Sequence, residues 1–356
     1  MHNVMIHPAG YDNCREAIDK AFDLFSLDIE GKKVMVNPNV LNDALPEEAV
    51  TTHPSVLLAV VERLEESGAA EITVGDNPGA RCYGANEETF RRCGLLEASK
   101  GYYKNIGSEV EVLDLESQFF SQLSVSKAIV EADIFISLPK FKTHGLTTLS
   151  GAIKNSYGIL PGAQKANGHR LAGNPMRFNE LIVDVFGLRI PDFFILDAVL
   201  GMEGNGPVSR DLRDINQILA SDNGVALDAT IASMMGVDPG DLRFLQVAKE
   251  RGYGDYEKDE IEISGKFSPI PDFKLPPAAE ERRRIGPPPP GGGLGGQTLL
   301  RPKVDDGLCT SCGTCVEECP VSALTMVDDL PEVDKDACIV CYCCQENCPE
   351  KAIQLF

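Results

Sequence analysis

Two cysteine runs of identical spacing stand in the C-terminal part of this 356-residue chain. The first reads Cys309-x2-Cys312-x2-Cys315-x3-Cys319-Pro320, and the second Cys338-x2-Cys341-x2-Cys344-x3-Cys348-Pro349. Nine of the 12 cysteines fall between Cys309 and Cys348, and only Cys14, Cys82 and Cys93 lie elsewhere. A secreted disulfide framework would not leave the whole stretch from Cys93 to Cys309 empty. Such close spacing instead wraps a short loop round a cubane, so that three thiolates reach three irons and the fourth iron takes the Cys-Pro cysteine of the other run. On that rule Cys309, Cys312, Cys315 and Cys348 hold one 4Fe–4S cluster, and Cys338, Cys341, Cys344 and Cys319 hold a second. Paired zinc sites are the alternative thiolate chemistry, but two complete runs, each followed by proline, favour clusters. Cys343 is left over and reads as a bystander; Cys14, Cys82 and Cys93 read as ordinary small side chains.

Residues 299–356 look like a two-cluster bacterial ferredoxin domain, a small α+β unit. That resemblance implies relay of single electrons to or from a redox partner protein or electron carrier. The segment holds 4 Lys/Arg against 11 Asp/Glu. Ahead of it, residues 276–298 carry Pro276-Pro277, the four prolines from Pro287 to Pro290 and the glycines Gly291 to Gly296. Four prolines form a stiff spacer of roughly 12 Å and the glycines after them are flexible, so this stretch reads as a linker after a first domain spanning 1–275.

Residues 1–275 alternate short apolar runs with helical patterns. Strands are expected at Lys33–Val36, Glu71–Val74, Glu109–Leu115, Ile134–Leu138 and Phe193–Leu196. Helices are expected at 54–67, 87–98, 225–235 and 242–252; Pro54 suits a first turn, Thr52 or His53 a cap and Gly68 a stop. Alternation at these lengths argues an α/β fold whose mainly parallel sheet is layered with helices. A net charge of −21 and a pI near 4.6 exclude non-specific binding to nucleic acid or to an anionic membrane surface, because like charges repel. No apolar run reaches the roughly 18 residues of a membrane span, and the N-terminus lacks a signal-peptide pattern. The expectation is a cytoplasmic protein.

Polar residues collect after the expected strands, where open parallel sheets bind ligands: Asn37 and Asn39, Asp76 and Asn77, then Lys140, Lys142 and His144. Residues 134–179 contain no Asp or Glu, where overall proportion would place about seven, yet they carry six Lys/Arg. In an acidic chain this segment points to an anion such as phosphate or carboxylate, or to docking of an acidic partner such as the ferredoxin unit. The glycines Gly145, Gly151, Gly158, Gly162 and Gly168 allow close backbone approach to a ligand. Glu203, in the loop Gly201-Met-Glu-Gly-Asn-Gly-Pro207, could bind metal or substrate. Walker A, G-x-G-x-x-G, H-E-x-x-H and G-x-S-x-G patterns are absent from the sequence.

As a set, Thr52-His53-Pro54, Val74-Gly-Asp-Asn-Pro-Gly79, Leu138-Pro-Lys-Phe-Lys-Thr-His144, Gly151-Ala-Ile-Lys-Asn155, Glu203-Gly-Asn-Gly-Pro207 and Ser221-Asp222 ahead of Ala226-Leu227-Asp228 resemble the domain-of-unknown-function family 362. The resemblance spans most of residues 30–255, with Gly224 standing where the pattern has proline. It implies a fold and a site location rather than a reaction. The expected function is an iron–sulfur redox enzyme whose α/β domain binds a small anionic substrate, or a further cofactor or metal. Lys140, Lys142 and Lys154 would hold the anion, His144 would move a proton, and Asp76, Asn155 and Glu203 would position the ligand. The alternatives are a non-enzymatic carrier or docking module for a partner oxidoreductase and a metal-cofactor assembly factor.

Overall fold

The computed structural model describes residues 1–285 and 300–355. In chain order the strands are β1 (His2–Pro8), β2 (Lys33–Pro38), β3 (Glu71–Val74), β4 (Val110–Asp114), β5 (Gln122–Ser126), β6 (Ile134–Leu138), β7 (Lys140–His144), β8 (Thr148–Ser150), β9 (Phe193–Met202), β10 (Leu212–Ser221) and β11 (Ile261–Gly265). The tail adds β12 (Pro302–Val304), β13 (Leu324–Val327), β14 (Leu330–Val333) and β15 (Ile353–Leu355).

Among the described residues, nine strands form one mixed sheet in the order β11-β1-β10-β9-β6-β2-β3, with β7 also on β9 and β8 on β7. The pairs β3/β2, β2/β6, β6/β9 and β7/β9 are parallel, as the alternation of strands and helices dictates. β10 runs antiparallel to both β9 and β1, because the Glu203–Asp211 connection turns the chain straight back. The sequence hides β10, whose first half alternates exposed and half-buried residues and carries charge. It hides β1 as well, a short apolar run flanked by histidines.

Side chains alternate across the sheet and build two cores. Val34, Val36, Ile195, Ile218 and Ala220 pack on one face under the helices Cys14–Phe25 and Pro54–Glu66. Met35, Phe194, Leu196 and Leu219 pack on the other under Pro175–Leu188, Gly224–Met234 and Arg243–Glu250. The fold is thus helices, sheet, helices. His53 caps its helix, its Nδ1 accepting from Ser55 N at 3.1 Å. Gly224 starts its helix without proline because Asn223 accepts from Val225 N and Ala226 N at 3.1 and 3.0 Å. The helix expected at 87–98 splits into Asn86–Arg92 and Leu95–Ala98 where Gly94 turns left-handed at φ 74°. The strand expected at Glu109 pairs only with β5, apart from the main sheet.

The segment read as linker opens with a helix, Pro277–Ile285, in which Ala279 is buried in the main core. Its proline and glycine run lies outside the described residues. The tail pairs β12 with β15 and β13 with β14, and it docks on the first domain. Val340, Tyr342 and Leu355 enter the main core. Lys351 pairs with Glu48 at 3.0 Å, Gln345 donates to Asn205 O at 2.7 Å, and Asn205 donates to Ile353 O at 3.2 Å. The Arg81 amide donates to Asn347 Oδ1 at 3.4 Å.

Candidate functional site

The strand-end residues gather above the carboxyl ends of β2, β3 and β6. Asn37 closes β2 and donates to Gly75 O at 2.8 Å and to Asp76 Oδ1 at 3.0 Å, while Val40 N donates to Asp76 Oδ2 at 2.8 Å. Burial outweighs these bonds and the Lys165 charge, raising the Asp76 carboxyl to about 6. Asn155 donates to Ser137 Oγ at 2.8 Å. Asn77 donates to Gly158 O at 2.8 Å, and Lys165 donates to Asn77 O.

The basic segment is largely interior. Lys140 is fully buried and spent on Asp197 at 2.7 Å and the Tyr11 hydroxyl at 2.9 Å. Lys142 donates to Val50 O at 2.7 Å; burial, reinforced by Lys154, lowers its pKa to about 7. A register shift of β7 on β9 separates the strand partners of the two lysines. Burial also lowers Lys165 to about 8 and His169 to about 4.

The ferredoxin unit supplies the carboxylate this region lacks. Its helix Cys343–Glu346 faces the basic segment, and Glu346 Oε1 lies 3.2 Å from His144 Nε2. His144 Nδ1 accepts from Leu146 N at 3.2 Å, which leaves Nε2 to carry the ring proton. Burial works to raise the Glu346 carboxyl, but His144, His169 and Lys154 overcome it and hold it at about 2. Between the two domains lies a cleft of about 70 Å³, bounded by Asp76, Lys154, Asn155, His169, Cys343 and Glu346 among others.

Of the expected ligand-handling residues, the structure brings Asp76, Asn155 and Lys154 to this cleft, with Lys142 and His144 just behind. It does not bring Lys140, locked to Asp197, or Glu203, which pairs with Arg213 at 3.0 Å and accepts from Lys274 N at 3.2 Å. The expected close approaches of backbone to ligand are in part approaches to the chain's own side chains: a methyl group on Gly158 would strike Asp76, and one on Gly151 would strike Asp228. Sequence reading missed Glu346 and Cys343 because nothing in a cysteine run announces what lies opposite it. His169 was visible as part of the basic segment, but its place in the cleft was not.

A cavity in the tail is lined by Cys309, Cys312, Cys315 and Cys348 together. The thiols of Cys338, Cys341 and Cys319, with that of Cys315, crowd Cys344 and, after burial, raise its pKa. Cys319 Sγ accepts from Ala323 N at 3.2 Å and Cys348 Sγ from Ala352 N at 3.3 Å, the same bond in each half. Backbone donors on thiolate sulfur stabilise charge there and tune cluster potentials, so the donor set fits iron–sulfur clusters.

A sheet layered with helices and a docked ferredoxin-type unit define the class: an α/β protein with an iron–sulfur tail. The profile described as "Domain of unknown function (DUF362)" matches residues 34–233, and the chain belongs to that family. A profile described as "4Fe-4S binding domain" matches residues 302–325, so the tail is an iron–sulfur, electron-transfer unit. The thylakoid-associated protein sll1697 of Synechocystis sp. is 31% identical over 229 residues, 62% of this chain and 68% of that protein. The lactate racemase apoprotein of Thermoanaerobacterium thermosaccharolyticum superposes with a TM-score of 0.42 at 15% identity, covering 65% of this chain and 56% of that one. A crystal structure of a Thermotoga maritima protein gives 0.41 at 15%, covering 61% and 56%. The chain thus spans just over half the length of these two solved structures. Among the described residues, no helix is long and apolar enough to cross a membrane.

Proposed function

We propose that this chain is an iron–sulfur oxidoreductase that binds two 4Fe–4S clusters and acts on a small anionic molecule held between its two domains. The clusters supply one-electron transfer; Cys309, Cys312, Cys315 and Cys348 would hold one, and Cys338, Cys341, Cys344 and Cys319 the other. One observation carries the reading. Cys343, flanked by the ligands Cys341 and Cys344, lines the same cleft as Lys154, His169 and Asp76. The second cysteine run therefore borders the space where an anion would sit.

The residues divide the work by position. Lys154 faces the cleft as the cationic contact. Lys142 and His144 stand behind it as groups whose protonation burial has made adjustable. Asp76 and Asn155 shape the floor. At the other end Cys312 is exposed, and the surrounding surface is acidic, which suits approach of a redox partner with a basic face.

The test uses anaerobically purified full-length protein reduced with dithionite. Small oxyanions that enter the cleft should shift the electron paramagnetic resonance signal of one reduced cluster, and its substrate should reoxidise the protein. If no oxyanion alters either readout while the protein passes electrons to an added carrier at full rate, it is a carrier and the enzymatic reading fails.

A further inference from the structure

The cleft has a pattern of unmet hydrogen-bonding groups that defines what fits it. Lys154 is half-buried, its ammonium 4.9 Å from the Tyr157 ring centre and 5.9 Å from that of Phe178. Among the described residues it makes no hydrogen bond or ion pair. A cation withdrawn from water onto aromatic faces without a hydrogen-bond acceptor is costly, and this one lines the cleft. Glu346 Oε1, Asn39 Oδ1 and His169 Nδ1, of residues that line the same cleft, have no hydrogen-bond partner, the 3.2 Å contact of Glu346 with His144 being one of charge. His169 is only 6% exposed and stacks on Phe178 with ring centres 4.2 Å apart. The ring is thus held with a free nitrogen beside the cleft.

The cleft lining therefore holds a positive donor and several acceptors without partners. An anion with no proton would satisfy Lys154 but set lone pairs against Glu346. A neutral molecule would offer Lys154 a weaker acceptor than an anionic oxygen does. At one water per 10–15 Å³ of such space, the 70 Å³ cleft has room for roughly five non-hydrogen atoms.

We propose that the interdomain cleft binds a small oxyanion that keeps one hydrogen-bond donor, its anionic oxygens on Lys154 and its proton on Glu346 or Asn39. This deepens the functional reading above and rests on it for the site. It also makes the docked ferredoxin unit part of the binding site, because Glu346 and Cys343 come from that unit.

Hydrogencarbonate and nitrate form the test pair. Both are planar monoanions of four non-hydrogen atoms, and only hydrogencarbonate carries a donor. Calorimetric titration of the oxidised full-length protein should show hydrogencarbonate binding at least ~10-fold more tightly than nitrate, the usual consequence of leaving a buried acceptor unpaired. Lys154→Met should abolish binding of both, with iron content and cluster spectra unchanged. Equal affinity for the two ions, or no binding of either, overturns the proposal, and the comparison needs no variant that folds. Because the clusters stay oxidised throughout, failure here is separate from failure of electron exchange, which the reoxidation assay reads.

Discussion

Docking of the ferredoxin unit turns on one small residue, and Gly145→Val tests it. Gly145 is buried at the end of β7, and a methyl group added there would come within 2.9 Å of Tyr342 Cδ2 and 3.3 Å of Leu355 Cδ1. Both neighbours belong to the tail and both are locked in the main core, so the strain falls on the interface. Overpacking of this kind costs about 1–3 kcal/mol. As a change in the equilibrium between docked and undocked tail, that raises the undocked fraction about 5- to 150-fold. Hydrogen exchange reads this directly, because the rate at a protected amide follows the opening equilibrium when reclosing is fast. The Arg81 amide donates across the interface to Asn347 Oδ1 and should exchange faster by that factor. Amides of β2, inside the sheet, should keep their rates. Unchanged exchange at Arg81, or an equal acceleration in β2, would refute the argument.

Three further outcomes follow from the same structure. His169, buried and held at about 4, takes up a proton more readily unfolded than folded; its contribution is intact above pH 6.5 and is lost as pH falls from there toward 4. By linkage that is about 3 kcal/mol, visible as a falling urea midpoint that His169→Phe flattens. Asp228 accepts from Ala152 N at 2.6 Å and Ile153 N at 3.0 Å, so Asp228→Ala should cost about 2–4 kcal/mol by orphaning two amides, and Asp228→Asn less, measured by thermal unfolding. Cys343→Ser should retain about eight irons per chain, whereas Cys341→Ser should lose part of them, read by iron and sulfide analysis.

The sequence disclosed chemistry more readily than place. An iron–sulfur tail was legible because the spacing within each cysteine run is local, and Ile134–Leu138 and Glu71–Val74 were legible because each is a short apolar run. β1 and β10 were not, since each is stabilised by partners more than forty residues away or by a neighbour that is itself cryptic. The lack of carboxylates from 134 to 179 drew attention to a segment that the fold largely buries. It did not show that Lys140 would be neutralised by Asp197 in the sheet, or that Glu346 would arrive from the far end of the chain to face Lys154. Charge patterning records which groups need partners; only the fold says who they are.

The placement of β1 has a consequence for how the molecule assembles. Its hydrogen-bonding neighbours are β10, at Gln217–Ser221, and β11, at Ile261–Gly265. Strand β1 therefore stays unpaired until β10 is complete at Ser221, and its other edge stays open until β11 is made. Pairing over such separations is slow and leaves an open edge in the meantime. The surface that receives the tail, by contrast, rests on β7 and β9, which are both made before β10. Iron loading of the cysteine runs, which are made after both strands, thus falls after the platform exists, and a chain stalled before residue 261 would present a bare strand edge to its neighbours.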